Sequence, residues 1–453
     1  MSATAPAPPA SGLPPRRRFW AVAALMAGVA MSVLDASLVN LALPSIATAF
    51  GVGAGRAVWV TTAYLLAAAA AIALFAALGD RHGYRRVWLA GLTGFTLASA
   101  GCAVAPTLPV LLALRAAQGL AAAAVMSVGP ALYRVIFPPQ QLGRALGLSA
   151  MTVAASAAAG PSVAGAILGL ADWRWLFIIN LPVGLIALAA AAAAMPASAR
   201  RTTLPDYPAV LLAGLSLVSL VLALGSVDHF VPATLLFTAS LVCALTFARR
   251  QRDEHAWLPP VLWRNTRFSL AAATSAAAFA VQGLAYVSLS FRLQHDWELS
   301  APMAGAVFTA WPLALALLAP LAGRAADRTA AAKLCTAGLL LLAGGLAALA
   351  AATRPSPAMM LASTALCGFG FALFQSPNNR ELLGAAPRAL SGTASGVLAI
   401  ARTFGQSLGA AAAALLLSAA GSQLALALAA LFALLAAGLS LSRRRTGHGE
   451  SAA

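Results

Sequence analysis

Three charged side chains stand inside otherwise apolar stretches of this sequence: Asp35, Arg115 and Arg402. A charge in hydrocarbon costs about 2.5–3.5 kcal/mol on insertion scales, so an intramembrane ionisable residue is functional by default. Asp35 is the sole acid well inside an apolar run. A carboxyl whose surroundings alternate between dry and wet can take up and release a proton; the competing role is a fixed hydrogen bond to a neighbouring helix. Arg115 opens the run RAAQG, with Gln118 three residues on and therefore on the same helical face. Gly119 and Ala122 continue that face as small residues that permit close helix approach. Arg115 could pair with Asp35 or with backbone carbonyls, or snorkel to the interface.

Weaker chemistry is spread over the second half. Gln282, Gln375, Asn378, Asn379, Arg402 and Gln406 are polar groups that could line a cavity or simply bond helix to helix. Trp311 offers a stacking face for an aromatic or cationic ligand, or a packing surface. No HExxH, GxSxG or GxxxxGK[ST] is present, so neither an enzyme nor a built-in ATPase is expected. No cofactor is expected, and energy must come from an ion gradient or the substrate's own gradient. The four cysteines match no zinc or CxxC spacing.

The elements that hold these residues follow from composition. Of 453 residues 61% are hydrophobic and 9% charged, whereas soluble domains carry about 25% charged residues. Lipid is the natural solvent for such a chain. Runs of about 20 apolar residues occur fourteen times, near 19–42, 57–79, 87–105, 109–133, 145–169, 175–197, 207–226, 231–248, 268–291, 302–322, 334–352, 357–376, 392–417 and 421–441. The first follows Arg16–Arg18 as a signal peptide would, but it is too long for a signal core and reads as a retained span.

With both termini in the cytoplasm, only Arg56, Arg174, Arg292 and Arg354 fall outside. Arg115 and Arg402 lie within spans, and the rest of the 29 Lys and Arg lie inside. The net charge of +17 therefore orients the chain in a membrane and calls for no nucleic acid. The Asp80-Arg81 loop after span 2 and the Gly323, Asp327, Arg328 loop after span 10 suggest a parallel repeat, with spans 7 and 8 as an insert; Asp-Arg is also a common loop pair. The division expected is a disordered tail over 1–18, a six-helix bundle over 19–197, two inserted helices over 207–248, a second six-helix bundle over 268–441 and a tail over 442–453.

Several stretches resemble the fourteen-span drug:proton antiporter branch of the major facilitator superfamily. LDASLVNLALP (Leu34–Pro44) resembles its span 1 motif, with Asp35 and Asn40 at the polar positions. LGDRHGYRR (Leu78–Arg86) resembles the loop 2–3 motif, which assigns a cytoplasmic latch to Asp80, Arg81, Gly83, Arg85 and Arg86; Ala76 stands where the family usually has Gly. RAAQG resembles the span 4 motif implicated in proton coupling. GPSVAG (Gly160–Gly165) resembles the antiporter motif of span 5, in which Pro161 bends the helix. WRWLFIINLPVG (Trp173–Gly184) and FQSPNNRELLGAAPRALSGTASG (Phe374–Gly396) resemble stretches typical of the fourteen-span branch.

The resemblance implies an all-α polytopic membrane protein of major facilitator fold in the inner membrane, working as a proton-driven exporter by alternating access. Its expected partners are protons, lipid and small lipophilic or cationic organic compounds, handled by a monomer. One acid, Asp35, serving proton and cargo in turn would make their binding mutually exclusive. A dedicated metabolite exporter or uptake permease is the rival within this class; a receptor or scaffold is the rival outside it.

Overall fold

The computed structural model describes residues 12–197, 206–227, 229–252, 256, 258–387 and 390–446. The described chain is helical nearly throughout. The first bundle comprises α1 (Pro15–Phe50), α2 (Ala54–His82), α3 (Tyr84–Ala103), α4 (Leu108–Ile136), α5 (Leu142–Leu170) and a broken sixth span, α6 (Trp175–Ile178) and α7 (Asn180–Ala194). Two helices follow, α8 (Tyr207–Leu224) and α9 (Phe230–Arg250), then the short α10 (Pro260–Arg264). The second bundle comprises α11 (Thr266–Phe291), α12 (Ala301–Ala325), α13 (Ala331–Ala351), α14 (Pro357–Gly384), α15 (Ser391–Ala419) and α16 (Gly421–Thr446). Thirteen segments are long and apolar enough to cross a membrane. Helix α3 is less apolar but runs between α2 and α4 as a fourteenth. Helices satisfy every backbone polar group internally, which is why alanine- and leucine-rich runs take this form in lipid.

An even number of crossings puts the start of α1 and the end of α16 on one face. Arg81, Arg85, Arg86, Arg134, Arg324 and Arg380 share it, so it is the basic face. The bundles close against each other at the opposite face. There Leu38, Leu41 and Ile46 of α1 join Val281, Leu284 and Leu289 of α11 in one apolar cluster. Gln294 donates to the Leu41 carbonyl at 2.8 Å, and Ser162 and Thr309 bond at 2.7 Å. Helices α5 and α12 cross glycine on glycine. A Cβ on Gly165 would lie 2.7 Å from the Ala301 carbonyl oxygen, and one on Gly305 would lie 2.5 Å from that of Pro161.

Toward the basic face the packing loosens. Gly129 of α4, Gly143 and Gly147 of α5, Gly323 of α12, and Gly392 and Gly396 of α15 have open space where a side chain would go. The bundles are thus packed together at the opposite face, and the named glycines leave open space beside α4, α5, α12 and α15 toward the basic face.

The insert lies across the seam between bundles. Val221 of α8 packs with Leu66 of α2 and Ala411 of α15. Helix α9 packs mainly on α8, where Ser240 donates to the Ser216 carbonyl at 2.8 Å, and its Phe247 packs against the apolar cluster of Leu262, Phe268 and Leu382; most of its other side chains are exposed or half-buried.

Two expected boundaries are corrected. The first helix starts at Pro15 rather than after residue 18, because proline suits the first helical turn. Leu13 just before it is buried and donates to the Ile136 carbonyl at 3.0 Å. At the other end α16 runs on to Thr446, through residues assigned to a tail; the remaining tail segments, 1–11 and 447–453, and the basic residues Arg200, Arg201 and Arg388 lie outside the described residues.

Candidate functional site

Helix α4 brings Arg115 to the centre of the first bundle. The crossing of α4 with α2 is tight because Gly119 has no side chain: a Cβ there would sit 2.2 Å from the Tyr64 carbonyl oxygen. One turn earlier on both helices, Arg115 Nε donates to the Val60 carbonyl at 3.1 Å. The guanidinium lies 4.4 Å from the Tyr64 ring centroid and 5.6 Å from that of Phe177, positions that favour a cation over an aromatic face. Its Nη1 donates to Asp35 Oδ2 and to Gln118 Oε1 at 2.5 Å.

The other oxygen of Asp35 accepts from Gln118 Nε2 at 2.9 Å and from Asn180 Nδ2 at 3.1 Å. Ser99 of α3 completes the ring, 2.9 Å from Gln118 Nε2. Every contact of the carboxylate is with a donor. Arg115 Nη2 is buried without a hydrogen-bond partner among the described residues. Asp35, Arg115 and Gln118 have 0% exposure. A buried pair of this kind is worth little against an apolar pair, but removing one partner is strongly destabilising.

The break at Ile179 separates α6 from α7 and puts Asn180 at the first position of α7, facing Asp35. Asn180, Ser99 and Tyr64 were not singled out from sequence. An Asn inside the apolar run WLFIINLPVG was the available signal, since an intramembrane polar residue needs a partner.

In this structure Asp35 is enclosed within the first bundle, its carboxylate held by Arg115, Gln118 and Asn180. Asn40 stands apart from it, accepting from Thr61 Oγ1 at 3.1 Å. Gly160 lets α5 pass α1 at Ser37. Pro161 sits within the continuous helix α5, whose buried face is Ser156, Gly160, Pro161, Ala164 and Gly165.

The polar residues of the second bundle divide. Trp311 is fully buried, packed edge-on to Tyr286 with ring centroids 5.0 Å apart, so it does not line a cavity. Asn378 is also buried, bonding the Ala271 carbonyl at 3.2 Å and Ser275 Oγ at 2.8 Å. Gln406 donates to Gln282 at 2.9 Å, a bond between α15 and α11. Gln375 and Arg402 do line a cavity, of about 100 Å³, together with Asn379, Ser395 and Phe279.

The two loops expected to form a latch have these contacts here, the first partly with the insert. Tyr84 donates to Asp80 at 2.5 Å, Arg85 reaches the Ala192 carbonyl at 3.0 Å, and the Arg81 guanidinium lies 5.8 Å from the Tyr207 ring. Gly83 turns the chain between α2 and α3 with φ 92°, a value that favours glycine; Arg86 is exposed. Asp327 pairs with Arg380 of the same bundle, and Arg328 is exposed.

The sequence signature of the Major Facilitator Superfamily matches residues 25–290 and 268–453. The uncharacterised transporter YebQ of Escherichia coli is 40% identical, covering 96% of this chain and 98% of its own. The multidrug resistance protein Stp of Mycobacterium tuberculosis is 33% identical over 84% of this chain and 72% of its own. The riboflavin transporter RibZ of Clostridioides difficile is 30% identical over 84% of each. Among solved structures, a bacterial homologue of the human lysosomal transporter Spinster superposes with a TM-score of 0.73 at 14% identity, covering 96% of this chain and 98% of its own, a likeness of fold. Fold, sequence signature and relatives agree: the chain belongs to the major facilitator superfamily and is a multi-pass membrane transporter, not an enzyme.

Proposed function

We propose that this protein is a proton-coupled exporter of small lipophilic organic compounds, of the fourteen-span drug:proton antiporter branch, working by alternating access. The observation that carries this reading is the sealed Asp35–Arg115 pair. A lone intramembrane acid held by Arg115, Gln118 and Asn180 is a two-state element: adding a proton to Asp35 removes an acceptor and frees Arg115 to re-pair. That change on α1 and α4 would bias how the first bundle meets the second, giving the proton site leverage on a cleft it does not line. The basic face would be cytoplasmic, in the inner membrane, and cargo would enter the cleft that is open there. The loops bearing Asp80 and Asp327 would engage across the seam once the cleft closes on that side. The fold gives no reason to require a second copy, so a monomer suffices.

Export of more than one organic compound is supported by the name of the multidrug resistance protein Stp. Cationic cargo loses its sequence-based argument, because Asp35 already has Arg115 as counter-ion. A dedicated metabolite exporter is the second reading, favoured by the 30% identity to a protein named as a riboflavin transporter. Vesicles inverted so that the basic face is outward, energised with a proton gradient, distinguish these. Uptake of several unrelated lipophiles, abolished by a protonophore, supports the first reading. Uptake of one metabolite alone supports the second. Movement insensitive to the protonophore would overturn proton coupling.

A further inference from the structure

The second bundle contains a charge for which the described chain provides no counter-charge. Every arginine buried in the described residues has a carboxylate: Arg115 pairs with Asp35, Arg292 with Asp296 at 2.9 Å and Arg443 with Glu381 at 3.0 Å. Arg402 differs. It lies eleven residues into the 29-residue α15, about 16 Å from the end of the helix at 1.5 Å per residue. That depth is well inside the hydrocarbon layer. Its guanidinium makes no hydrogen bond or ion pair with any described residue. Among the described acids of this bundle, Asp296 pairs with Arg292, Asp327 with Arg380 and Glu381 with Arg443, and none is paired with Arg402.

The surroundings of Arg402 are built. Helices α15 and α11 meet on three glycines: a Cβ on Gly405 would lie 2.4 Å from the Ala276 carbonyl oxygen, one on Gly409 1.9 Å from that of Ala280, and one on Gly283 2.3 Å from that of Gln406. Arg402, Gly405 and Gly409 follow the i, i+3, i+7 spacing of one helical face. The backbone contact therefore fixes Arg402 beside Phe279, whose ring is braced edge-on by Phe371 and Phe374 at 5.2 and 6.4 Å. The cavity they share, about 100 Å³, also presents the side-chain amides of Gln375 and Asn379 and the hydroxyl of Ser395. Ser395, at the basic-face end, is exposed. The cavity thus leads into the cleft on the side from which an exporter loads.

Arg402 is half-buried at the wall of this cavity, whereas an acid stands beside each of the three fully buried arginines among the described residues. A guanidinium with two side-chain amides around it presents the donors that a planar anion accepts, next to an aromatic wall for an apolar body; the Ser395 hydroxyl already donates to the Ser391 carbonyl at 2.9 Å. We propose that Arg402 is the recognition site for the anionic group of the transported compound, and that the preferred cargo is an aromatic organic acid carrying a carboxylate or a comparably delocalised negative charge. This inference rests on the transport reading above, but the binding it asserts can be tested without transport. Proton and cargo then occupy separate bundles, Asp35 in the first and Arg402 in the second.

The test uses fluorescein, an anion, and rhodamine 123, a xanthene dye of similar shape whose carboxyl is a methyl ester and which is a cation. Fluorescence anisotropy on the purified full chain in detergent reads binding directly. The expected result is that wild type binds fluorescein more tightly than rhodamine 123. Arg402→Gln should weaken fluorescein binding by about tenfold or more, the size expected for loss of a charge-assisted hydrogen bond, and Arg402→Lys by less. Size-exclusion and thermal melting of each variant report folding. If Arg402→Gln is misfolded, Gln375→Leu, which keeps the arginine and removes one cavity amide, reads the same site with a smaller loss. Equal fluorescein affinity in wild type and a folded Arg402→Gln variant, or preference of wild type for rhodamine 123, would overturn the proposal. Uptake of both dyes in energised vesicles separates the two readings. Fluorescein binding through Arg402 with no proton-driven uptake would retain the site and remove the proton-coupled reading.

Discussion

The two bundles treat an intramembrane arginine in opposite ways. In the first, Arg115 is enclosed: its carboxylate, a glutamine, a backbone carbonyl and two aromatic rings surround it, and no part of it reaches the cleft. In the second, Arg402 is placed by a similar device, a glycine-mediated helix crossing, yet meets an open cavity and no carboxylate. The same charge is a closed circuit in one half and an open contact in the other. On the reading proposed above, the proton site and the ligand site belong to different bundles.

The comparison can be broken most forcefully at Arg115. Replacing it with Gln leaves Asp35 buried beside amides only, and we expect a loss of about 3–5 kcal/mol, the range for stripping one partner from a buried pair. Thermal unfolding in detergent measures it. Adding Asp35→Asn to Arg115→Gln should recover part of the loss, since neither charge then remains. Additive losses in that double variant would mean the pair is not coupled.

A smaller effect is expected at the glycine crossing of α5 and α12. Gly165→Val forces a side chain against the Ala301 carbonyl, which would lie 2.7 Å from its Cβ. Overpacking of this kind costs about 1–3 kcal/mol, and here it acts on the opposite-face closure. Cysteine labelling from the basic face should report a reduced share of the state open on that side. Unchanged labelling would show that this seam does not hold the closure.

Gln406→Leu removes the 2.9 Å bond to Gln282 between α15 and α11. Interhelical bonds in membranes are worth about 0.6 kcal/mol on average, so unfolding should shift only slightly. A large loss would indicate that this bond, rather than the glycine contact, positions Arg402. Smallest of all, Arg380→Ala breaks an exposed pair with Asp327, with side chains 62% and 57% exposed. Exposed pairs are worth under about 1 kcal/mol, and stability should barely change.

What could be read in the sequence follows from how strongly lipid penalises exceptions. Fourteen spans and the two-bundle plan came from hydropathy and the placement of arginines, because a bilayer sorts those features by length and charge. Asp35 and Arg115 stood out for the same reason. Their third and fourth partners, Asn180 and Ser99, did not, because a helix break at Ile179 and the rotation of α3 decide which way those residues face. The polar residues of the second half were harder. Asn378 and Gln375 are three apart on α14, yet one bonds α11 and the other lines the cavity. Trp311 is turned inward, edge-on to Tyr286, against which Phe308 also packs. A helical wheel assigns faces only once the neighbours are known.

The most direct measurement is gradient-driven transport by Asp35→Asn in proteoliposomes, with downhill substrate exchange followed in the same preparation. If Asp35 is the proton site and cargo binds elsewhere, the variant should exchange substrate across the membrane but fail to accumulate it against a concentration difference when a proton gradient is applied. A folded Asp35→Asn variant that accumulates substrate with the pH dependence of the wild type would contradict the assignment of proton coupling to the buried pair.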